Sequence, residues 1–369
     1  MPRSALFLLG LLFYLISTNS AYAAYHFSNY RGHPPIHIYG SSKTKPSGLT
    51  PDQIKKVYHL PSSGGSGTIA IIGAYDDSTV EKDLSIFSSQ FNLPDCTVSN
   101  DCFEKHLISQ STKYNSGWSS ETSLDIEWAH AIAPQAKILL IEAPTPSGSN
   151  LLKAVDYATS RPDVVAISMS WGGAEFPEET QLDNHFVSKS KAVFFASSGD
   201  NGWGTSWPAV SPNVIAVGGT SLKFDSHSKF ISETAWSGSG GGVSGFEKQP
   251  DYQKGYSIPK ANGMRAIPDV SYNADPKSGF PIYKSSPQGK GAWYQVGGTS
   301  AGSPQWAAIH SLGLSSSNSN FYADKNTVNP DLYFRDILSG SNGDCKYFCY
   351  ARKRYDYITG LGSPQTVNF

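Results

Sequence analysis

The sequence predicts an α/β fold with a mainly parallel central sheet covered by helices on both faces. Three observations lead there. Residues 68–74 (TIAIIGA), 137–143, 164–168, 193–197 and 214–218 are continuous apolar runs rather than alternating ones. Runs of that kind belong to strands buried on both sides. Helically spaced stretches stand between or beside them, at 80–91, 120–132, 149–159 and 178–190. Strand–helix–strand alternation brings successive strands parallel through crossover helices. No internal repeat or second domain boundary interrupts the pattern, so the Gly-rich stretch 237–245 reads as a loop within one domain.

The elements follow in order. Met1-Pro2-Arg3 is a short basic segment, residues 5–16 are apolar, and Ala21-Tyr22-Ala23 is a small-x-small cleavage pattern. Residues 1–23 therefore read as a signal peptide, the other reading being an uncleaved anchor. Export to a secreted or lumenal location follows, and no later segment is long and apolar enough to span a bilayer. Residues 24–48, rich in Ser, Gly, Pro, His and Tyr, read as an extended N-terminal arm. Thr50-Pro51-Asp52-Gln53 reads as a helix cap with proline in the first turn, and it opens a single domain over 49–369.

Composition narrows the function. The 369 residues carry 29 Lys+Arg against 30 Asp+Glu, and that balance gives no electrostatic case for a nucleic-acid or anionic-membrane partner. Four cysteines fall into two local pairs, Cys96 with Cys102 and Cys345 with Cys349, which suits disulfides in an exported chain. Loops so short would each pin a surface segment.

Chemistry concentrates in three places. Gly297-Gly298-Thr299-Ser300-Ala301-Gly302-Ser303-Pro304 follows a strand-like segment at 293–296 and precedes an apolar helix at 305–312. The glycines permit a sharp turn that presents Ser300 at a helix N-terminus, where amide and dipole favour a developing oxyanion; the alternative is an ordinary cap. Glu121 and Asp125 are four apart on the 120–132 helix, about 40° around it, so they share one face. On a largely apolar helix two such acids repel and one pKa rises; on a solvated face they would not. Glu127 points elsewhere, and His130 reads as structural. Ser197-Ser198-Gly199-Asp200 directly follows the 193–196 run, which places Asp200 at the carboxyl end of a strand. Ligands of open α/β sheets bind there, although Asp-Asn-Gly is also turn chemistry.

These three motifs, in this order, resemble the sedolisins, serine-carboxyl peptidases with a subtilisin-like fold. Flanking segments are similar too: IIGAYDD at 71–77, SMSWGG at 168–173, PDVS at 268–271 and TGLGSP at 359–364. The resemblance runs from about Leu49 to Pro364. It implies that Ser300 is the nucleophile, Glu121 the base, Asp125 its orienting partner and Asp200 the oxyanion-site acid. It also implies that Ser170, Trp171 and Gly172 line the substrate groove by backbone pairing, the other reading being a buried aromatic at a strand end, and that protein or peptide substrates are cut by endopeptidase or tripeptidyl-peptidase action. One structural Ca²⁺ is implied on Asp336, the carbonyls of Ile337, Arg352 and Arg354, and Asp356. The family usually has glycines where Arg352 and Arg354 stand.

A carboxylate base and a protonated Asp200 suit an acidic compartment or medium. A histidine-dependent subtilase is disfavoured, because none of the nine histidines sits in a His-Gly-Thr segment. A non-catalytic secreted binding protein on a decayed fold is the alternative, and the intact Glu121, Asp125, Asp200 and Ser300 argue against it. The chain is expected to be a monomer. The family carries a long N-terminal pro-domain, and residues 24–48 stand in its place. A separate pro-segment or inhibitor, an unaided core, or restraint by neutral pH would each account for that.

Overall fold

The computed structural model describes residues 27–110, 113–313, 317–323 and 333–365. The signal-peptide reading over 1–23 lies outside the described residues. Fifteen strands run in chain order: β1 His37–Ser42, β2 Thr68–Ala74, β3 Phe103–Leu107, β4 Lys137–Ala143, β5 Val164–Met169, β6 Val193–Ser197, β7 Val214–Phe224, β8 Phe230–Ala235, β9 Gly242–Lys248, β10 Met264–Ile267, β11 Val270–Asn273, β12 Phe280–Lys284, β13 Ala292–Gly297, β14 Phe334–Arg335 and β15 Ser363–Pro364.

The main sheet has the order β11-β7-β6-β5-β2-β4-β3, with every neighbouring pair parallel and β8 added antiparallel to β7. All seven positions of β2 are buried, as its unbroken apolar run requires. Its side chains alternate between two cores. Ile69 and Ile71 join Leu84, Leu124, Trp128 and Trp306 on one face. Ala70 and Ile72 join Leu151, Val155 and Trp171 on the other. The helices Val80–Gln90, Ser116–Ile132 and Gly302–Ser311 contribute to the first core, and Gly148–Ser160 contributes to the second.

The cap at Thr50 forms as read. Its hydroxyl accepts from the Gln53 amide at 3.3 Å, its own amide donates to Gln53 Oε1 at 2.9 Å, and Pro51 opens the helix. Elsewhere the structure revises the reading. The helix carrying Glu121 and Asp125 starts at Ser116 rather than Ser120, because Asn115 Oδ1 accepts from the Gly117 and Trp118 amides. Its first turn, Ser-Gly-Trp-Ser, has weak helix propensity, so only the cap reveals it. The 178–190 stretch is a 3₁₀ helix, Glu179–Phe186. Part of the 237–245 loop belongs to β9, which pairs with β10. Within the extended arm, β1 pairs antiparallel with β13 in a three-stranded sheet, β1-β13-β12. Asp77 and Asp269 are buried. Asp77 accepts from Ser119 Oγ at 2.6 Å, and Asp269 forms a buried ion pair with Arg265 at 2.5 Å. No helix among the described residues is long and apolar enough to cross a membrane.

Candidate active site

Four chain segments meet beyond the carboxyl ends of the parallel strands. The Ser116–Ile132 helix packs beside Gly302–Ser311. The segments following β5 and β6 supply Ser170 and Asp200. Ser300 sits in the 3₁₀ turn Thr299–Ala301 that feeds the Gly302–Ser311 helix. Gly298 makes that turn with φ 123°, and a Cβ there would lie 2.1 Å from Pro35 O and 2.6 Å from Asp200 Oδ2. Only glycine fits both the dihedral and the space.

Glu121 and Asp125 point into this junction and are buried, as is Ser300. The helix spacing thus places the acids together, on a buried face rather than a solvated one. Ser170 Oγ donates to Asp125 Oδ1 at 2.7 Å and lies 3.3 Å from Ser300 O. Burial, then the Asp125 charge, pushes Glu121 well above the usual carboxylate range, and nearby Ser300 acts the other way. Burial pushes Asp125 up to about 8 against the hydrogen bond from Ser170. Two anions so close inside a protein are disfavoured, so the pair keeps a proton into the neutral range. Neither Glu121 oxygen nor Ser300 Oγ closes a hydrogen bond of ordinary geometry.

Asp200 is held by one oxygen. Its Oδ1 accepts from the Thr299 amide at 2.8 Å and the Thr299 hydroxyl at 2.7 Å, and that hydroxyl accepts from the Gly199 amide at 3.1 Å. Oδ2 faces His37 Nε2 at 3.0 Å. Burial raises the Asp200 pKa although the His37 and Thr299 donors lower it. The bond to Asp200 raises the pKa of His37. Neither partner was singled out in the sequence. Thr299 lies inside the Ser300 motif and was legible as a neighbour, whereas nothing local marks His37.

Of the three residues read as groove-lining, only Gly172 borders the cleft. Its amide donates to His33 O at 3.1 Å and its carbonyl accepts from the His33 amide at 2.9 Å. The Ser170 hydroxyl is turned to Asp125 instead, and Trp171 is buried 6.0 Å from Trp207. The cleft, about 510 Å³, is bordered by the arm, Gly172, Gly173, Asp200 and Ser206.

Away from the cleft, Asp336 and Asp356 converge on one loop. Asp336 Oδ2 accepts from the Arg354 amide at 2.8 Å, and Asp356 Oδ2 accepts from the Arg352 amide at 3.1 Å. The Arg352 guanidinium lies over the Tyr347 ring at 4.4 Å, so it does not neutralise the acids. Arg354 accepts the left-handed φ of 67° that a glycine would take easily. Burial pushes Asp356 up to about 7. Two carboxyls meeting on one loop are hard oxygen donors of the kind Ca²⁺ takes. Both disulfides, Cys96–Cys102 and Cys345–Cys349, form as paired from the sequence.

The subtilase family model matches residues 105–330. Kumamolisin of Bacillus sp. (strain MN-32) is 31% identical over 372 residues, which cover 88% of this chain and 63% of that protein. Sedolisin of Pseudomonas sp. (strain 101) is 28% identical over 384 residues, covering 90% and 63%. This chain therefore spans roughly three fifths of the length of these relatives. The structure of Pseudomonas sedolisin complexed with two molecules of pseudo-iodotyrostatin superposes with a TM-score of 0.73 at 28% identity, over 87% of this chain and 96% of that one. Sphericase, at 17% identity and a TM-score of 0.57, shares the fold. With its parallel sheet, its acid pair and its serine at a helix start, the chain belongs to the subtilase family and, within it, to the sedolisins.

Proposed function

We propose that this protein is a serine-carboxyl peptidase that hydrolyses peptide bonds in acid through an acyl-enzyme on Ser300. The observation that carries the reading is the convergence of Ser300, the buried Glu121 and Asp125 pair, and the buried Asp200 at one end of the parallel sheet.

The chemistry follows from the chain's own groups. Ser300 Oγ attacks the substrate carbonyl and gives its proton to Glu121. Asp125, held by Ser170, keeps Glu121 oriented and retains the proton the pair shares. The carbonyl oxygen gains negative charge, which an ionised Asp200 would repel. A proton on Asp200 Oδ2, the oxygen not used by Thr299, turns it into a donor to that oxyanion. Glu121 then protonates the leaving amine. Water repeats the sequence in reverse roles and releases the acid product.

Three further assignments belong to this reading. Residues 1–23 direct export to an acidic compartment or medium. Protein or peptide substrates enter along Gly172, whose backbone pairs with an extended chain. One Ca²⁺ is held by Asp336, Asp356 and the carbonyls of Ile337, Arg352 and Arg354, where it would tie the C-terminal loop down. The test is cleavage of a fluorogenic peptide library from pH 3 to 8 by the purified chain and its Ser300→Ala variant. Ser300-dependent cleavage with an acid maximum is expected. Tight peptide binding without any Ser300-dependent cleavage would instead identify a binding protein on this fold.

A further inference from the structure

The C-terminal loop carries cations that the proposed reaction does not use. Residues 344–354 hold Lys346, Arg352, Lys353 and Arg354 against the single acid Asp344, in a chain whose formal net charge is −1. All four cations are exposed, and exposed Lys260 joins them from another segment. Lys260 Nζ lies 4.1 Å from the centre of the Tyr347 ring, and the Arg352 guanidinium lies 4.4 Å from the same ring. Arg352 Nε also donates to Tyr347 O at 3.1 Å. The Cys345–Cys349 disulfide closes around Lys346, Tyr347 and Phe348, so the ring that gathers these charges sits in a short covalent loop.

Backbone geometry singles out the same residues. Lys260, Lys346 and Arg354 have φ of 64°, 57° and 67°, in the left-handed region. A side chain there costs free energy that glycine would not. All three side chains are exposed, so burial does not compensate that cost. The chain thus holds three cations in unfavourable conformations on one surface, a pattern that points to a role outside the fold.

This surface runs into the cleft through Trp203. Asn201 lines the cleft, and Trp203 follows two residues later with 39% of its surface exposed. Its amide donates to Asn342 O at 3.2 Å. Its ring lies 5.0 Å from Phe348, which lies 5.7 Å from Tyr347. Toward the cleft, a Cβ at Gly242 would touch both the Trp203 ring, at 3.4 Å, and the cleft-lining Thr205, at 3.3 Å.

We propose that Lys260, Lys346, Arg352, Lys353 and Arg354 form an exosite beside the cleft, a surface that takes an acidic segment of a protein or peptide whose other part enters the active site. The inference rests on the peptidase reading for what occupies the cleft. Lysine and arginine stay cationic throughout the acid and neutral range, whereas Asp and Glu of an extended substrate ionise above roughly pH 4. Attraction is therefore available over most of the acid range. Exposed charges act mainly on encounter and are screened by salt, so the exosite raises kcat/KM rather than kcat and loses its effect at high ionic strength.

The test uses the full chain at pH 5.5. One cleavable peptide sequence carries a block of four Glu or four Gln at its amino end or at its carboxyl end. The kcat/KM of each Glu peptide is divided by that of its Gln partner, in the wild type and in a Lys260→Gln/Lys346→Gln/Lys353→Gln variant of matched melting temperature. Arg352 and Arg354 stay in place because their carbonyls belong to the proposed cation site. In the wild type one Glu placement should exceed its Gln partner by at least roughly fivefold in 50 mM NaCl, with kcat little changed, and the advantage should vanish in 500 mM NaCl. The variant should show no such advantage in either salt. Wild-type ratios near one at both ends, a ratio indifferent to salt, or a ratio that survives in the variant would overturn the exosite while leaving the peptidase reading intact wherever the Gln peptides are cleaved. If no peptide is cleaved, the peptidase reading fails, and fluorescence anisotropy of the labelled peptides decides the surface alone. Tighter binding of a Glu peptide that is lost in the variant retains the exosite, and equal binding of Glu and Gln peptides overturns it. Capture by phosphatidylserine vesicles without any preference for Glu over Gln peptides would assign the cations to a membrane and overturn it too.

Discussion

Thr299 grips Asp200 twice through the same oxygen, with the amide at 2.8 Å and the hydroxyl at 2.7 Å from Oδ1. The consequence is an asymmetric carboxyl. Oδ1 is committed to the turn that carries Ser300, so the proton that makes Asp200 a donor belongs on Oδ2. On the proposed mechanism Thr299 is a positioning residue that couples Asp200 to the turn carrying Ser300.

Thr299→Val keeps the shape and the amide bond but deletes the hydroxyl. It should lower kcat by roughly five- to tenfold, the equivalent of about 1 kcal/mol for one hydrogen bond, with KM little changed. It should also move the alkaline limb of the pH–rate profile upward, because the hydroxyl lowers the Asp200 pKa. A variant with wild-type kcat and an unmoved limb would remove Thr299 from the mechanism.

The acid pair and the serine should respond in a graded order. Ser300→Ala should lower kcat by at least about a thousandfold, leaving only binding and oxyanion stabilisation. Glu121→Gln should come close to that, since Glu121 is the group proposed to take the serine proton. Asp125→Asn should cost about ten- to a hundredfold, because it orients rather than accepts the serine proton. Steady-state kinetics on one fluorogenic peptide decides it; an Asp125→Asn loss exceeding that of Glu121→Gln would reverse the two roles.

Activity should be bell-shaped in pH with its maximum on the acid side. Falling pH removes the base by fully protonating the Glu121 and Asp125 pair. Rising pH removes the proton from Asp200. The alkaline limb lies above the ordinary carboxyl value of roughly 4, because burial raises Asp200. Equal or greater kcat/KM at pH 8 than at pH 5, in protein folded at both, would be incompatible with a protonated Asp200.

Stability should fall as pH rises. Burial holds Asp125 and Glu247 up at about 8 and Glu179 at about 10. Unfolded, these carboxyls titrate near ~4. Between that value and their folded values the native state binds more protons than the unfolded state, so the unfolding free energy decreases with pH. Calorimetry should find a lower Tm at pH 8 than at pH 5 in the Ser300→Ala chain, where autolysis is absent. The opposite order would mean that these acids are paired with cations in solution.

Calcium should act on lifetime rather than chemistry. A ligand that binds only the folded state adds about 2.7 kcal/mol at a hundredfold excess over its dissociation constant. At pH 7, chelator should lower Tm and speed autolysis while leaving the initial rate unchanged, and Asp336→Asn should do the same in excess Ca²⁺. Lower pH should weaken the effect, because burial leaves Asp356 at about 7. Identical melting curves with chelator and with millimolar Ca²⁺ would mean that the amide and hydroxyl donors around these acids leave no cation site.

The sequence by itself determined the sheet and the chemistry that local pattern encodes. Continuous apolar runs specify strands with no solvent face, so β2, β4, β5, β6 and the first part of β7 could be read directly. A spacing of four on one helix puts Glu121 and Asp125 together whatever the rest of the chain does. Glycines before Ser300 require a tight turn. Tertiary structure decided what depends on residues far apart in the chain. Nothing local pairs Ser170 with Asp125; the fold turns its hydroxyl there, because β5 ends beside the Ser116–Ile132 helix. Asp77 and Asp269 carry turn-like local patterns, and only the packed Ser119 and Arg265 show that they are buried. The arm has no periodicity of its own, and it becomes a strand because the open edge of β13 supplies the missing hydrogen bonds. His37 meets Asp200 for the same reason: a contact between an arm and a loop is fixed by the sheet edge and the cleft that hold them, and neither leaves a local signature in sequence.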